Sequence, residues 1–291
     1  MHSSIQAFLA GSSDKANSKC SRATSFILAL FFCVSSFAQS SADDWVARGM
    51  GYDSSNRYDS SSVCYRQALS IDPQNVEAGW RLAAALYKQD SVRQAIDLCQ
   101  AVIEKDRKCK DVYFILGSIF FDQGSFKSAE EYLRRATEFG GPGFVGAWCR
   151  LGESYLRLSD TAQAEHCFQS VIANDPSFQR AWFFLGEIAR SSSQHPQAVE
   201  YYGQALRCFP LYPEALKSMA ESYMALANLK GAIDCLSKAV RLTPDDAWSY
   251  YLLGKCQYQN SQPDKAKISL SRALDIKPDL EQAQLLLSVI Q

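Results

Sequence analysis

The sequence predicts an all-α chain built of stacked helix pairs, and three regularities carry that prediction. First, a Leu-Gly pair recurs three residues after an aromatic residue: Leu116-Gly117 after Tyr113, Leu151-Gly152 after Trp148, Leu185-Gly186 after Trp182, Leu253-Gly254 after Tyr250. With Leu and Gly set at repeat positions 7 and 8, units start at 42, 76, 110, 145, 179, 213 and 247, a spacing of 34 residues with one extra before 145. Second, positions 8, 20 and 27 carry no bulky residue, as in Gly117/Ala129/Ala136 and Gly186/Ala198/Ala205. Third, Pro73, Pro176, Pro210, Pro244 and Pro278 all fall at position 32. A fixed period of this length is the mark of a repeat architecture.

Each unit reads as a first helix, a turn, a second helix and a second turn. Small residues at 8, 20 and 27 are needed where two antiparallel helices approach most closely. Gly inside a helix costs ~1 kcal/mol against Ala, so close packing must offset that loss. Proline at position 32 stops the second helix and sets the turn into the next unit. Pro196 and Pro263 fall in the first turn of a second helix, where a missing N–H costs little. Units 2 and 3 depart from the pattern, with Arg107 and Gly141 at position 32. The insertion Gly140-Gly-Pro-Gly143 is expected to mark a kink or hinge between three units and four.

Trp148, Leu151, Gly152, Tyr155, Ala164, Phe168 and Pro176 follow one pattern, and Trp182, Leu185, Gly186, Ala198, Tyr202, Ala205 and Pro210 repeat it. In this the chain resembles the tetratricopeptide repeat (TPR) family. The resemblance covers residues 42–291 and implies a right-handed superhelical solenoid of helix–turn–helix repeats. It also implies that first-helix positions 2, 5, 9, 12 and 13 line a concave groove that binds a protein or peptide. Those positions give Trp80, Tyr87, Phe114, Phe121, Arg157, Phe183, Glu187, Arg190, Trp248, Tyr251, Lys255 and Tyr258 as the partner-binding residues. Aromatic residues and Arg are the usual anchors of protein interfaces. No repeat has the paired Lys and Asn at positions 5 and 9 with which one TPR subclass grips a C-terminal carboxylate.

Residues 1–38 read as a signal peptide. Lys15, Lys19 and Arg22 precede the apolar run Phe26–Val34, and small residues lead to Ala38. Cleavage after Ala38 would leave 39–291 as the repeat array and send it out of the cytoplasm, to a bacterial periplasm or the medium, associated with the envelope. An uncleaved anchor or a lipoprotein is the alternative, but the run is short for a membrane span, and Leu30-Phe31-Phe32-Cys33 puts bulky Phe where a bacterial lipobox has small residues; no later stretch is apolar enough for a span. The composition is that of a globular chain, 47% hydrophobic and 21% charged. A net charge of −1 gives no phosphate-neutralising surface, so nucleic acid is not an expected partner.

Motifs for chemistry do not assemble. Gly141-x-Gly143-x-x-Gly146 matches a dinucleotide fingerprint in form, but it joins two helical repeats where that fingerprint needs a preceding strand. His166 and His195 have no second ligand at metal-binding spacing. No Cys-x-x-Cys occurs, and the cysteines after residue 38 recur by repeat register, as Cys64, Cys167 and Cys235 do at position 23. Mainly free thiols are expected from that. No catalytic, cofactor or metal residues are assigned, and the chain reads as a non-enzymatic scaffold or adaptor. Glycan or cell-wall binding is the alternative, since exposed Trp and Tyr stack on sugars as well as on peptides.

The C-terminal end reads as a capping helix over about 279–291, with Asp279 at its start. Ala283, Leu287 and Ile290 share one face, which leaves Leu286 and Val289 partly exposed. A partner, a second copy or fraying would each account for them; weak self-association through this helix is the expectation.

Overall fold

The computed structural model describes residues 40–290, and the segment read as a signal peptide lies outside them. Fifteen helices occur among the described residues. In order they are α1 (Ala42–Asp53), α2 (Tyr58–Ile71), α3 (Val76–Lys88), α4 (Val92–Lys105) and α5 (Lys110–Asp122). Next come α6 (Phe126–Gly140), α7 (Val145–Arg157), α8 (Thr161–Asn174), α9 (Gln179–Ser191) and α10 (His195–Cys208). The last five are α11 (Pro213–Ala225), α12 (Leu229–Leu242), α13 (Ala247–Gln259), α14 (Pro263–Ile276) and α15 (Glu281–Ile290). Odd-numbered helices are the first helices of successive repeats and even-numbered ones the second.

The chain divides into two compact units, and the division falls between Ala85 and Leu86, inside α3. It does not fall at the Gly140–Gly143 insertion, where a hinge was expected: α6 and α7 pack on each other within the second unit. Trp148 at the start of α7 explains this, because its indole N–H donates to the Gly141 carbonyl at 3.0 Å and ties the inserted loop to the next helix.

In the first unit α1 and α2 pair. Ser41 caps α1 by accepting from the Asp44 N–H, while the Asp44 carboxylate accepts from the Ser41 N–H at 2.8 Å. Tyr65 is fully buried on α2 and its hydroxyl donates to Asp53 at 2.5 Å.

In the second unit each helix packs on the next, and the buried clusters draw on neighbouring repeats. One joins Phe168 and Val171 of repeat 4 to Leu185 and Ile188 of repeat 5. Another joins Leu236 and Val240 of repeat 6 to Leu252 and Leu253 of repeat 7. Core-building is thus local, as a quasi-one-dimensional array requires.

Two devices recur. Position 8 of the first helix lies under the side chain at position 24 of the second. A Cβ on Gly186 would sit 2.5 Å from Cε1 of Tyr202, so only glycine allows that ring to lie there. The turn between the two helices is closed by a left-handed residue at position 15 in every repeat: Asn56, Asp90, Gly124, Ser159, Ser193, Ala227 and Ser261, with φ between 55° and 76°. Such a residue just past a helix end satisfies its last carbonyls. Asn, Asp and Gly tolerate that conformation well; Ala227 gains nothing from it.

The last helix starts at Glu281, two residues later than the sequence suggests, because Lys277 to Leu280 close a turn through a 3.2 Å Leu280 N–H to Lys277 carbonyl bond. Leu286, Leu287 and Ile290 pack against the cluster around Leu270 and Ala273. Leu285, not singled out by the sequence, is 71% exposed, and Val289 is 63% exposed.

Two substitutions test these devices by urea unfolding. Gly186→Ala gains up to ~1 kcal/mol of helix propensity but overpacks a fixed ring, and should destabilise the protein by about 1–2 kcal/mol net. Ala227→Gly relieves a left-handed alanine and should stabilise by roughly 0.5–1 kcal/mol.

Candidate interaction surface

First helices of successive repeats adjoin one another, as α5 does α7, α9 does α11 and α13 does α15. Their positions 2, 5, 9, 12 and 13 carry the residues assigned from the TPR resemblance. Trp80 belongs to the first unit, where the Arg81 guanidinium lies 4.4 Å from its ring centre. The other eleven lie in the second unit, and eight of them fall into three groups.

The first group is a chain of polar and charged side chains running from repeat 2 to repeat 5. The Tyr87 hydroxyl donates to the Asp122 carboxylate, which also receives Arg150 at 3.5 Å. The Arg150 guanidinium lies 4.7 Å from the Phe121 ring centre and 3.8 Å from Glu153. Glu153 has a side chain only 7% exposed, and Arg180 of the next repeat donates to it at 2.8 Å. Asp122, Arg150 and Arg180 were not named as site residues by the sequence pattern. Arg150 stands at position 6, outside the assigned face, and reaches it only through the length of its side chain.

The second group centres on Glu187 and Arg190, which pair at 2.7 Å. Tyr202 donates its hydroxyl to Glu187 at 2.6 Å, and Arg190 reaches Glu221 of the following repeat at 3.3 Å. Burial works to raise the Glu187 pKa, but hydrogen bonds from Arg190, Tyr202 and Ser218 outweigh it and hold the carboxyl below its ordinary value. One repeat on, Lys217 pairs with Asp246 at 3.0 Å, and Asp246 caps α13 by accepting from the Trp248 and Ser249 N–H groups.

The third group is aromatic. Trp248, Tyr251, Lys255 and Tyr258 occupy positions 2, 5, 9 and 12 of α13, with the Trp248 and Tyr251 rings 5.0 Å apart. Trp248 is 45% exposed and Tyr258 38%. Leu285 and Val289 continue this surface because they are positions 5 and 9 of α15. Val289 was expected to be exposed; counting in the repeat register, instead of from Ala283, would have found Leu285 as well.

Three assigned residues stand apart from these groups. Phe114 packs edge-on to Phe144 at 5.4 Å, and Phe183 sits among Phe184, Tyr202 and Tyr212, so both rings join repeats together. Arg157 is exposed and lies 5.7 Å from the Phe126 ring centre. All eight cysteines among the described residues are free thiols, seven of them buried; burial pushes Cys99 and Cys167 up to about 12.

Residues 89–285 match the family model described as Cilia and flagella-associated protein 70 C-terminal domain, and residues 52–90 match a TPR repeat model. The chain belongs to that family of tetratricopeptide-repeat domains. A Protein CTR9 homolog from Arabidopsis thaliana is 26% identical over 206 residues, which is 68% of this chain. The chain spans 19% of that relative's length. Among solved structures, the APC/C hetero-tetramer Cut9–Hcn1 aligns with 87% of this chain and 53% of its own, at a TM-score of 0.63 and 16% identity. YrrB, described as a TPR protein with an unusual peptide-binding site, aligns with 65% of this chain and 97% of its own, at a TM-score of 0.56 and 18% identity. The architecture is therefore an all-α TPR solenoid, and proteins of this kind act generally as interaction scaffolds.

The depressed Glu187 carboxyl sets a pH signature. Its ionised form is stabilised in the folded state, so its contribution is present above the unfolded glutamate value of about 4.3 and is lost as pH falls through the lower folded value. Glu187→Gln should make stability, followed by denaturant unfolding from pH 6 down to pH 3, fall less steeply with acid than in wild type. Parallel slopes would remove Glu187 from the linkage.

Proposed function

We propose that the protein is a non-enzymatic scaffold exported to the bacterial envelope, which holds a protein or peptide segment along the face lined by its first helices. The observation that carries this reading is the solvent-facing aromatic surface of α13. Trp248 and Tyr258 are exposed there, at positions where the stack does not need them. Large aromatic side chains left in water are the anchors from which most interface energy is drawn. The basic–apolar–small pattern ending at Ala38 supports export. The peptide-binding site ascribed to YrrB is support of a weaker kind, since that likeness is one of fold. Weak self-association through the last helix is the rival use of the exposed Leu285 and Val289, and a concentration-dependent dimer in sedimentation would favour it over a peptide partner.

Fractionation and crosslinking test the reading together. The mature chain should start at or near Gln39 and be recovered outside the cytoplasm; intact Met1 in the cytosol would end the export claim. A photo-crosslinking residue in place of Tyr258 should capture an envelope protein. The same residue in place of Ile268, which is 72% exposed on α14, should capture none. Capture at 268 alone would move the interface to the second helices. Retention on purified peptidoglycan without protein capture would favour glycan binding.

A further inference from the structure

The first-helix face is chemically uneven along the second unit. Through repeats 3 to 6 most of its charges engage one another: Asp122 and Glu153 with Arg150, Glu187 and Glu221 with Arg190, Lys217 with Asp246, while Arg157 lies against the Phe126 ring. A ligand lying there must displace partly buried pairs, which costs more than removing charges already in water. At repeat 7 the pattern ends. Tyr251, Tyr258, Leu285, Leu286 and Val289 line a cleft of about 340 Å³ between α13 and α15, and Lys255 stands in its wall. No Asp or Glu lines the cleft. Among the described residues no carboxylate pairs with Lys255, and Glu221, at the same position one repeat back, is held by Arg190 at 3.3 Å.

We infer that this cleft takes a peptide segment bearing one aromatic or branched aliphatic side chain, seated between α13 and α15, and one carboxylate, paired with Lys255. The inference rests on the groove reading above and specifies its ligand. The apolar wall supplies burial for the anchor, removing apolar surface from water. The ammonium supplies the charge that an acid completes. Because Lys255 itself lines the cleft, the two groups fall within about three residues of each other in an extended peptide, at ~3.3 Å per residue. A single lysine also differs from the paired Lys and Asn that grip a chain terminus, so a side-chain carboxylate within a sequence satisfies it.

The test uses short random peptides displayed on phage and selected on the full chain. The strongest binder is then synthesised with its acidic residue intact, with that residue as the amide, and with its apolar anchor as Ala. The expected consensus is Asp or Glu within about three residues of Phe, Trp, Leu or Ile. Fluorescence anisotropy should show the amide peptide binding about tenfold more weakly to wild type. That difference should vanish on Lys255→Met, and Lys255→Glu should prefer a Lys-bearing peptide. Leu285→Asp and Tyr258→Ala should each weaken every binder while leaving the helical circular dichroism unchanged. Equal affinity for acid and amide overturns the carboxylate assignment and leaves the groove reading standing. Binders indifferent to both cleft substitutions overturn the cleft. An absence of binders overturns the inference and the peptide form of the groove reading together. A concentration-dependent dimer that Leu285→Asp dissolves overturns it by making a second copy the occupant.

Discussion

Everything in this molecule depends on how closely the two helices of a repeat approach. At position 8 the first helix gives up its side chain, and the ring or branched chain at position 24 of the second helix lies in the space. Tyr202 over Gly186 and Leu133 over Gly117 are two instances, each with 2.5 Å between a missing Cβ and its neighbour. That contact brings two backbones together at one point and fixes the pair. The fixed pair still leaves an apolar flank, because a pair of short helices has no interior of its own. Burying that flank requires the next pair, and so the chain lengthens by stacking. In the second unit each buried cluster draws on repeats that are neighbours in sequence.

Turns carry the geometry from pair to pair. Within a repeat, one left-handed residue at position 15 reverses the chain. At four of the junctions between repeats, a side chain at position 4 of the new first helix donates back to the carbonyl at position 32 of the old turn. Tyr113 bonds Arg107, Trp148 bonds Gly141, Trp182 bonds Pro176 and Gln284 bonds Pro278 in this way, at 2.7–3.0 Å. The aromatic at position 4 is therefore a latch as well as a core residue. It explains why the turn at Gly141 tolerates an extra residue without parting the array: the latch holds the carbonyl and the slack is taken up in the Gly-Pro-Gly loop.

The architecture was legible in the sequence because repetition multiplies weak signals. A single Gly in a helix means little, whereas small residues at position 8 in every repeat define a contact. The left-handed turn went unread, although Asn, Asp, Gly and Ser at position 15 signal it in six repeats and only Ala227 disguises it. The interaction face was less legible, for two physical reasons. Side-chain reach moves charges between faces, so Arg150 at position 6 enters a network with Asp122 and Glu153 that register alone leaves out. Aromatic residues on a first helix serve packing and recognition alike. Phe114 and Phe183 hold neighbouring repeats together while Trp248 and Tyr258 do not, and the letters look the same. The terminal helix was misread in part because a 3–4 spacing counted from Ala283 ignores where the repeat places its outward positions.

The contrast between a self-paired middle and an open aromatic end has a consequence for how such a face can discriminate. Ion pairs between repeats, such as Arg190 with Glu221, add further directional contacts to stacking that is mostly apolar. Each pair fixes one helix against the next, and side-chain entropy is already lost before any ligand arrives. Where the pairs stop, at α13, the same positions hold rigid rings and one lysine. A ring brings large contact area with only two rotatable bonds, so binding there orders little that was free. The middle of the face thus sets the spacing of the helices, and the end is where contact can be gained without first breaking contacts already made. Under the proposed groove reading, such a surface selects by what fits at repeat 7, since any segment that must run through the middle meets charges whose partners are already in place.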